Sequence, residues 1–337
     1  MSRFRPDTFT LLLIVTVALG TVLPAQGRAE EIVSLVANAG IALLFFLHGA
    51  RIDRRTAVAG LAHWRLHLVV FLATFGLFPV LGLAAGLLSP TLLTPTLAAG
   101  VLFLCVLPST VQSSIAFTSM AGGNVPAAVC SASASNIIGM FLTPLLVTAL
   151  LSVHGSGFEW KAVGDILLQL LAPFVLGQLL QPWLGGVLNR HKPLTNIVDR
   201  GSILLVVYLA FGHAVASGLW SRTPLPALVT MLVVDVVLLA IVLTVTTVAS
   251  RRLGFSREDE ITIVFCGSKK SLASGVPMAN VIFAGQDVGG VVLPLMIFHQ
   301  VQLFACAALA RRYARRAAEV EAREAAAFAP TLAPRPR

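Results

Sequence analysis

The residues VLPSTVQSS at positions 106–114 place a proline and five polar side chains inside the apolar run 97–120. A second apolar run, 261–284, is interrupted in the same way by CGSKKS at positions 266–271, with Pro277 beyond it. Inside a membrane, such interruptions leave backbone groups without helical partners, which is tolerable only where protein or a watery cavity satisfies them. The two stretches therefore predict a pair of broken membrane helices.

The composition of the whole chain excludes a soluble globular protein. Of its 337 residues, 57% are hydrophobic and only 12% are charged, whereas a soluble domain carries about 25% charged residues. A chain of this length can hold ten membrane spans of ~20 residues joined by short loops. Apolar stretches lie at 9–23, 32–50, 66–88, 97–120, 125–151, 166–184, 197–217, 225–249, 261–284 and 288–310. We therefore predict an all-α polytopic membrane protein with ten transmembrane helices.

Basic residues concentrate in alternate loops, which predicts the orientation of the chain. With ten spans, 19 of the 24 Lys and Arg residues fall on the side of both termini, and only Arg28, Lys161 and Arg222 fall on the other. Because such an excess marks the cytoplasmic side, we expect cytoplasmic termini and a location in the cytoplasmic (inner) membrane. The first stretch also resembles a signal peptide, but the spans that follow favour a first helix. The basic residues of the loops and tails account for the net charge of +9, and no nucleic-acid partner is expected.

Five spans per half place the two halves in opposite orientations, which predicts two inverted repeats. Gln112–Ala116 and Lys269–Ala273 carry a trace of this repeat, because both have the order polar, polar, Ser, aliphatic, Ala at a separation of 157 residues. Helices 4 and 9 are then discontinuous and cross. The predicted domains are a ten-helix transporter domain at 1–311, with repeats at about 1–155 and 160–311, and a cytoplasmic tail at 312–337.

Polar residues in and after the two interruptions are the candidate binding groups. Hydroxyl and amide oxygens suit a hard cation, but small polar residues also let membrane helices pack and hydrogen-bond. Equivalent placement in both halves favours a binding site over packing, while both interpretations stay open for the fifth span. The candidate site residues for substrate or ion are Gln112, Ser113, Ser114, Ser131, Ser133, Ser135, Asn136, Ser268, Lys269, Lys270 and Ser271.

The lysine pair is unusual for a membrane span. Lys269 lies nine residues after Glu260, or roughly 14 Å along a helix, which is close to the middle of a ~30 Å hydrocarbon core. Three accounts are open: both lysines lie at the membrane interface, one pairs with Asp235, or both lie at the crossing as fixed positive charges. There they could replace a bound cation, attract an anion or release a proton. The register with Ser113 favours Lys270 as the residue that faces the cavity.

Other polar residues inside the spans are less specific. An acid in a membrane helix is usually functional or paired, so Asp235 either carries a proton or cation or has a structural partner. His299 either lines the cavity and titrates or packs in the helix bundle. No P-loop or HExxH motif is present, so the sequence predicts neither ATP-driven transport nor an enzyme. The four cysteines lack metal-ligand spacing, and no cofactor is expected beyond a coupling ion.

Three stretches of the chain resemble the bile acid:sodium symporter family, in the branch of sodium/bile acid cotransporter seven and its bacterial members. They are VLPSTVQSSIAFTSMAGGNV at 106–125, CSASASNIIGMFLTPLL at 130–146 and EDEITIVFCGSKKSLASGVPMANVIF at 258–283. The resemblance covers essentially all ten spans. It implies a core domain of spans 3, 4, 5, 8, 9 and 10, a panel domain of spans 1, 2, 6 and 7, and the crossing of spans 4 and 9.

The resemblance also implies two sodium sites around the crossing. Ser114 matches a serine of the first site and is a candidate sodium ligand. Thr74 stands where the family has a glutamine on the third span, so it joins Asp235 and His299 as a candidate accessory residue. The remaining ligand positions are occupied here by Ile115, Ala128, Ala132, Val264 and Ser268.

Together these features predict a secondary active transporter that moves a small organic anion by alternating access, with the panel rocking against the core. The resemblance implies sodium as the coupling ion. Proton-coupled or uncoupled transport of an organic anion is one alternative, and a non-transporting membrane regulatory protein with the same fold is another. The expected partners are the organic anion, sodium or protons, and the lipid bilayer.

Overall fold

The computed structural model describes residues 8–51, 63–151, 160–216, 218 and 223–328. Over these ranges the chain forms helices and no strand. The helices are α1 (Thr8–Val22), α2 (Arg28–Arg51), α3 (Trp64–Gly86), α4 (Pro95–Val106), α5 (Gln112–Met120), α6 (Val125–Leu151), α7 (Trp160–Arg190), α8 (Lys192–Ala216), α9 (Leu225–Arg252), α10 (Arg257–Gly267), α11 (Leu272–Ile282) and α12 (Val288–Phe328). Some basic residues counted for the orientation lie outside the described residues, namely Arg3, Arg5, Arg54, Arg55, Arg222, Arg335 and Arg337.

Most of these helices have the length and composition of membrane spans. Seven helices, namely α2, α3, α6, α7, α8, α9 and α12, contain windows long and apolar enough to cross a bilayer, while α1 and α4 contain shorter apolar stretches. Large apolar side chains such as Leu35, Trp183 and Leu225 are more than 70% exposed, as expected where lipid is the surrounding solvent. The chain is therefore an all-helical, multi-pass membrane protein. The count of ten spans stays a prediction.

The third helix contains a π turn at Ala73–Leu77. The N–H of Phe78 donates to the carbonyl of Ala73, five residues back, instead of to Thr74. Pro79 follows and has no N–H. The carbonyl of Thr74 therefore has neither the α-helical donor at position 78 nor a π-helical donor at position 79, and it can accept a hydrogen bond from another part of the chain.

The helix breaks at both interruptions that the sequence predicts. α4 ends at Val106 because Leu107 is extended, with φ −73° and ψ 155°, which is the conformation favoured before a proline such as Pro108. α10 ends at Gly267. After the lysine pair, Ser271 is the N-cap of α11, and its hydroxyl accepts a hydrogen bond from the N–H of Ser274.

The helices pack in two groups. The four-helix group consists of α1, α2, α7 and α8, and the eight-helix group consists of α3–α6 and α9–α12. In the four-helix group, α2 and α7 are in backbone contact, because a Cβ on Gly49 or Gly177 would collide with the carbonyl of Phe174 or Phe46. In the eight-helix group, α4 is buried on all sides from Gly100 onward. The groups meet where α8 contacts α11 and α12 and where α7 contacts α6 and α11.

Candidate functional site

The two interruptions contact each other directly. The N–H of Ser271 donates to the carbonyl of Pro108 at 2.9 Å. In the other direction, the hydroxyl of Ser109 donates to the carbonyl of Cys266 at 2.6 Å, and that of Ser114 donates to the carbonyl of Phe265 at 3.1 Å. The last carbonyls of α10 have no intrahelical donors, so hydroxyls from the first interruption and from α5 cap this helix end.

The carboxyl end of α4 is capped from the second interruption. Lys270 reaches it with its side chain, and Nζ donates to the carbonyl oxygens of Cys105 at 2.8 Å and Leu107 at 2.7 Å. The third Nζ bond goes to the carbonyl of Thr74 at 2.8 Å. Val106 has a separate donor, the hydroxyl of Thr143 at 2.8 Å. A cation at the carboxyl end of a helix also interacts favourably with the helix dipole.

Asn136 on α6 joins both interruptions. Its Nδ2 donates to the carbonyl of Ser109 at 2.8 Å and to its own helix, while its Oδ1 accepts a hydrogen bond from the hydroxyl of Ser274 on α11 at 2.9 Å. One residue earlier, the hydroxyl of Ser135 accepts the N–H of Ser109 at 3.0 Å. All of these groups are buried. The crossing is therefore held by side chains of α5 and α6 that bind the backbone at the breaks, and by the hydrogen bond between Ser274 of α11 and Asn136.

Lys269 has a different environment from Lys270 although both are fully buried. Within the described part of the chain, the Nζ of Lys269 has no hydrogen-bond partner. It lies 4.0 Å from the ring centroid of Phe117 and 5.5 Å from that of Phe265. Cation–π contacts offset part of the lost hydration, but they leave the N–H donors without acceptors. Lys269 is thus a buried amine whose N–H donors have no acceptor among the described residues.

The remaining predicted site residues divide between the crossing and its surroundings. Ser271 is part of the crossing, as described above. Ser113 is half-buried and pairs with the hydroxyl of Thr110 at 2.8 Å, whereas Gln112 is exposed. Ser268 is buried but donates to Val264 of its own helix at 2.6 Å. On α6, Ser133 is half-buried and lies outside this network.

The two interruptions are offset by about 160 residues and not by 157. Val106 and Gly267, which end α4 and α10, are 161 positions apart, and Gln112 and Leu272, which begin α5 and α11, are 160 apart. The polar residues of the first predicted segment thus lie in the first turn of α5, whereas the lysines lie in the break itself. The predicted match was wrong by three or four residues because it compared residue classes and not helix ends. The register argument that favoured Lys270 as the cavity-facing lysine fails with it.

The three candidate accessory residues, Asp235, Thr74 and His299, have different relations to the lysines. Asp235 on α9 is fully buried, and neither carboxylate oxygen has a hydrogen-bond partner among the described residues, so the account in which it pairs with a lysine finds no contact there. Thr74 contributes its carbonyl and not its side chain. The Nδ1 of His299 lies 3.0 Å from the Nε2 of Gln302. Gln302 in turn exchanges two hydrogen bonds with the main chain of Lys270, at 2.9 and 3.0 Å.

Sequence reasoning missed several residues of the crossing. Ser109, Thr110 and Ser274 all take part in it, and Ser109 connects the second interruption, through Cys266, with Ser135 and Asn136 of α6. The signal was available for Ser109, because it follows the proline that opens the break. Ser274 stands three residues after the N-cap serine, a spacing at which the two hydroxyls meet.

A cavity of about 410 Å³ lies between α3 and α6, beside the crossing. Apolar side chains form most of its walls, among them the aromatic rings of Trp64, Phe71 and Phe75. Its polar side is formed by Ser135, which belongs to the crossing, and by Ser131, whose hydroxyl lies 2.6 Å from the Nδ1 of His67. Mostly apolar walls with a few placed polar groups are typical of small-molecule sites.

An all-helical membrane chain whose two broken helices meet in its interior has the architecture of a secondary transporter. Comparison with known families agrees: the chain belongs to the SBF-like CPA transporter family, whose profile matches residues 7–315. The predicted resemblance to transporters of the bile acid:sodium type is thereby confirmed.

Individual relatives span nearly the whole chain. The chain is 60% identical to "Uncharacterized protein PA2026" of Pseudomonas aeruginosa over 93% of its length and 95% of the relative. It is 53% identical to "Putative symporter YfeH" of Escherichia coli K12, over 96% and 98% of the two chains. It is 26% identical to "Sodium/bile acid cotransporter 7" of Rattus norvegicus, over 90% and 91%.

Proposed function

We propose that this protein is a secondary active transporter that carries a small organic anion across the cytoplasmic membrane. The observation that carries the proposal is the crossing of the two interruptions, where polar groups of α5, α6 and α11 meet broken backbone. Beside it lies the amine of Lys269, which has no hydrogen-bond partner in the described part of the chain. An anion that bound there would supply the acceptors that Lys269 lacks. Membership of the transporter family supports the class of function.

The proposed architecture has ten spans in two inverted repeats, at about 1–155 and 160–311, followed by the tail at 312–337. The seven long helices and α1 would each cross once, and α4 with α5 and α10 with α11 would form two broken spans, because each member of these pairs has only 9–12 residues and ~20 are needed. Alternating access would come from the four-helix group, as the panel, rocking against the eight-helix group, as the core.

The coupling ion has two candidates. Sodium is the first, because the family resemblance implies it and Ser114 supplies a hydroxyl oxygen. Protons are the second candidate, and a specific observation favours them. Lys269 is buried without a hydrogen-bond acceptor in the described chain, and an amine in such a site can carry a proton between two states. The candidate ligand groups remain those predicted at the crossing, with Ser109 and Ser274 added.

Uptake by reconstituted protein tests the proposal. Small organic anions would first be screened for a rise in thermal stability of the purified protein. Each hit would then be offered to proteoliposomes with an inward sodium gradient, an inward proton gradient or neither. We expect accumulation above equilibrium with one gradient. Binding without accumulation under any gradient would favour the regulatory alternative and overturn the proposal.

Charge removal at Lys269 locates the site in the same assay. Lys269→Met should lower uptake by roughly tenfold or more, because it removes the charge that would bind the anion. Arg252→Met is the matched control, since Arg252 is an exposed cation at the end of α9. It should transport like the wild type. Equal uptake by both variants would exclude Lys269 from the site.

The orientation follows from the distribution of basic residues, and we propose that both termini are cytoplasmic. Reporter fusions at Arg252 and Arg316 should both show a cytoplasmic location. Fusions at Arg55 and Ser156, which lie outside the described residues, should show cytoplasmic and external locations respectively. An external signal at Arg252 or Arg316 would contradict the orientation.

A further inference from the structure

Three carbonyl oxygens near the crossing have lost their backbone donors for identifiable reasons. Thr74 has none because of the π turn and Pro79. Cys105 and Leu107 have none because α4 ends before Pro108, and the next N–H, that of Ser109, is bound to Ser135. Buried carbonyls without donors lower the stability of the fold, so a cation or a hydrogen-bond donor at this place would stabilise it.

The three oxygens converge on one point from two separate helices. The Nζ of Lys270 occupies that point at 2.7–2.8 Å from all three oxygens, so each of its N–H groups has one acceptor. The ring centroids of Phe78 and Phe75 lie 4.2 and 5.9 Å from Nζ. Carbonyl oxygens and aromatic faces are both ligands that attract small cations. The lysine side chain is fully buried, and its main chain is fixed by Gln302.

We propose that Thr74, Cys105 and Leu107 form a site for a small monovalent cation that the chain fills permanently with the ammonium of Lys270. The wild-type protein therefore binds no external cation at this position. Shortening the side chain would empty the site and leave its oxygens in place, because they belong to the backbone of α3 and α4. Ammonium would fit the emptied site best, since it supplies N–H donors as the lysine does.

This inference does not depend on transport, and stability measurements test it separately from the proposed function. Lys270→Ala protein would be purified in detergent, and its thermal unfolding midpoint would be followed with ammonium chloride or methylammonium chloride. Choline chloride at equal ionic strength is the reference, because choline has no N–H groups and is too large for the site. We expect a saturable, ammonium-specific rise of roughly 5 °C for this variant.

Lys269→Ala is the matched control, since Lys269 is the adjacent lysine and equally buried, and its Nζ has no carbonyl partner among the residues that the structure describes. This control and the wild type should show no ammonium-specific rise. A rise of equal size in either protein would overturn the proposal, because ammonium would then act elsewhere. A folded Lys270→Ala protein that responds equally to ammonium and choline would overturn it as well.

A second measurement applies if Lys270→Ala does not survive extraction in choline chloride. The variant would then be expressed and extracted with ammonium chloride present throughout, and the monodisperse fraction would be measured by size-exclusion chromatography. Recovery with ammonium and not with choline is the expected result. Failure in both salts would contradict a site that an external cation can refill.

Discussion

The carboxyl ends of α4 and α10 lie at the same crossing, yet they are capped by different chemistry. α10 ends against the hydroxyls of Ser109 and Ser114, which are neutral donors from the opposite interruption and from α5. α4 ends against the ammonium of Lys270, which is a charged donor from the other interruption. The hydrogen-bond donors of each interruption therefore bind the carbonyls at the carboxyl end of the helix that precedes the other interruption. The two broken helices cannot separate without exposing unpaired carbonyls in both.

The difference between the two caps suggests a division of labour. A charged donor with three buried acceptors is costly to remove, so the α4 end is the more permanent of the two. Hydroxyl donors bind less strongly and can rotate to another acceptor, so the α10 end is better suited to contacts that change when a solute or ion arrives. Lys269, which has no acceptor in the described chain, lies on the α10 side, next to Phe265.

The largest expected effect is a difference in stability between variants of Lys269 and Lys270. Lys270→Met removes the donor of three buried carbonyls, so we expect roughly 3–5 kcal/mol of destabilisation and a much lower folded yield. Lys269→Met removes an amine without acceptors and should change stability by about 1 kcal/mol or less, because methionine fills similar space. Thermal unfolding midpoints of both variants in one detergent provide the measurement. Equal destabilisation would mean that the two lysines do not differ as described.

A middle effect is expected at the residue that joins the two interruptions. Asn136→Ala removes the donor to Ser109 and leaves the hydroxyl of Ser274 without its acceptor, which should cost about 2 kcal/mol and impair uptake. Ser133→Ala on the same helix lies outside this network and is the control for both stability and uptake. If the two variants were equally stable and equally active, Asn136 would not connect the breaks.

The smallest effect concerns the hydroxyl cap of α10. Ser114→Ala removes the buried hydrogen bonds of this hydroxyl to the Phe265 carbonyl and the Thr110 hydroxyl, which should cost about 1–2 kcal/mol and reduce uptake more than stability. Ser119→Ala tests the exposed side of the same helix α5 and should be neutral. Uptake by Ser114→Ala at the wild-type rate, over a range of sodium concentrations, would remove Ser114 from the candidate ion ligands.

The sequence allowed the class of fold and the position of both breaks to be predicted, because proline and clustered polar residues are visible within apolar runs. It also brought Ser114, Ser135, Asn136 and Ser271 into the candidate site. It could not predict the role of Lys270, whose acceptors are carbonyls from positions up to 196 residues away. Main-chain groups such as that of Thr74 are invisible to reasoning from side-chain chemistry, and their availability depends on where helices end in three dimensions.

Because of the π turn in α3, the number of residues between Ala73 and Leu77 sets how the two halves of this helix are placed relative to each other. A π turn holds one residue more than an α-helical turn, so removing one residue between Ala73 and Leu77 would favour an ordinary helix. The half that starts at Trp64 would then rotate by about 100° and shift by ~1.5 Å relative to the half that starts at Phe78. His67 would no longer face α6, whereas the carbonyl four residues before Pro79 would still lack a helical donor, because proline has no N–H. A single deletion here would therefore disconnect the cavity from the crossing while leaving every side chain at the crossing unchanged.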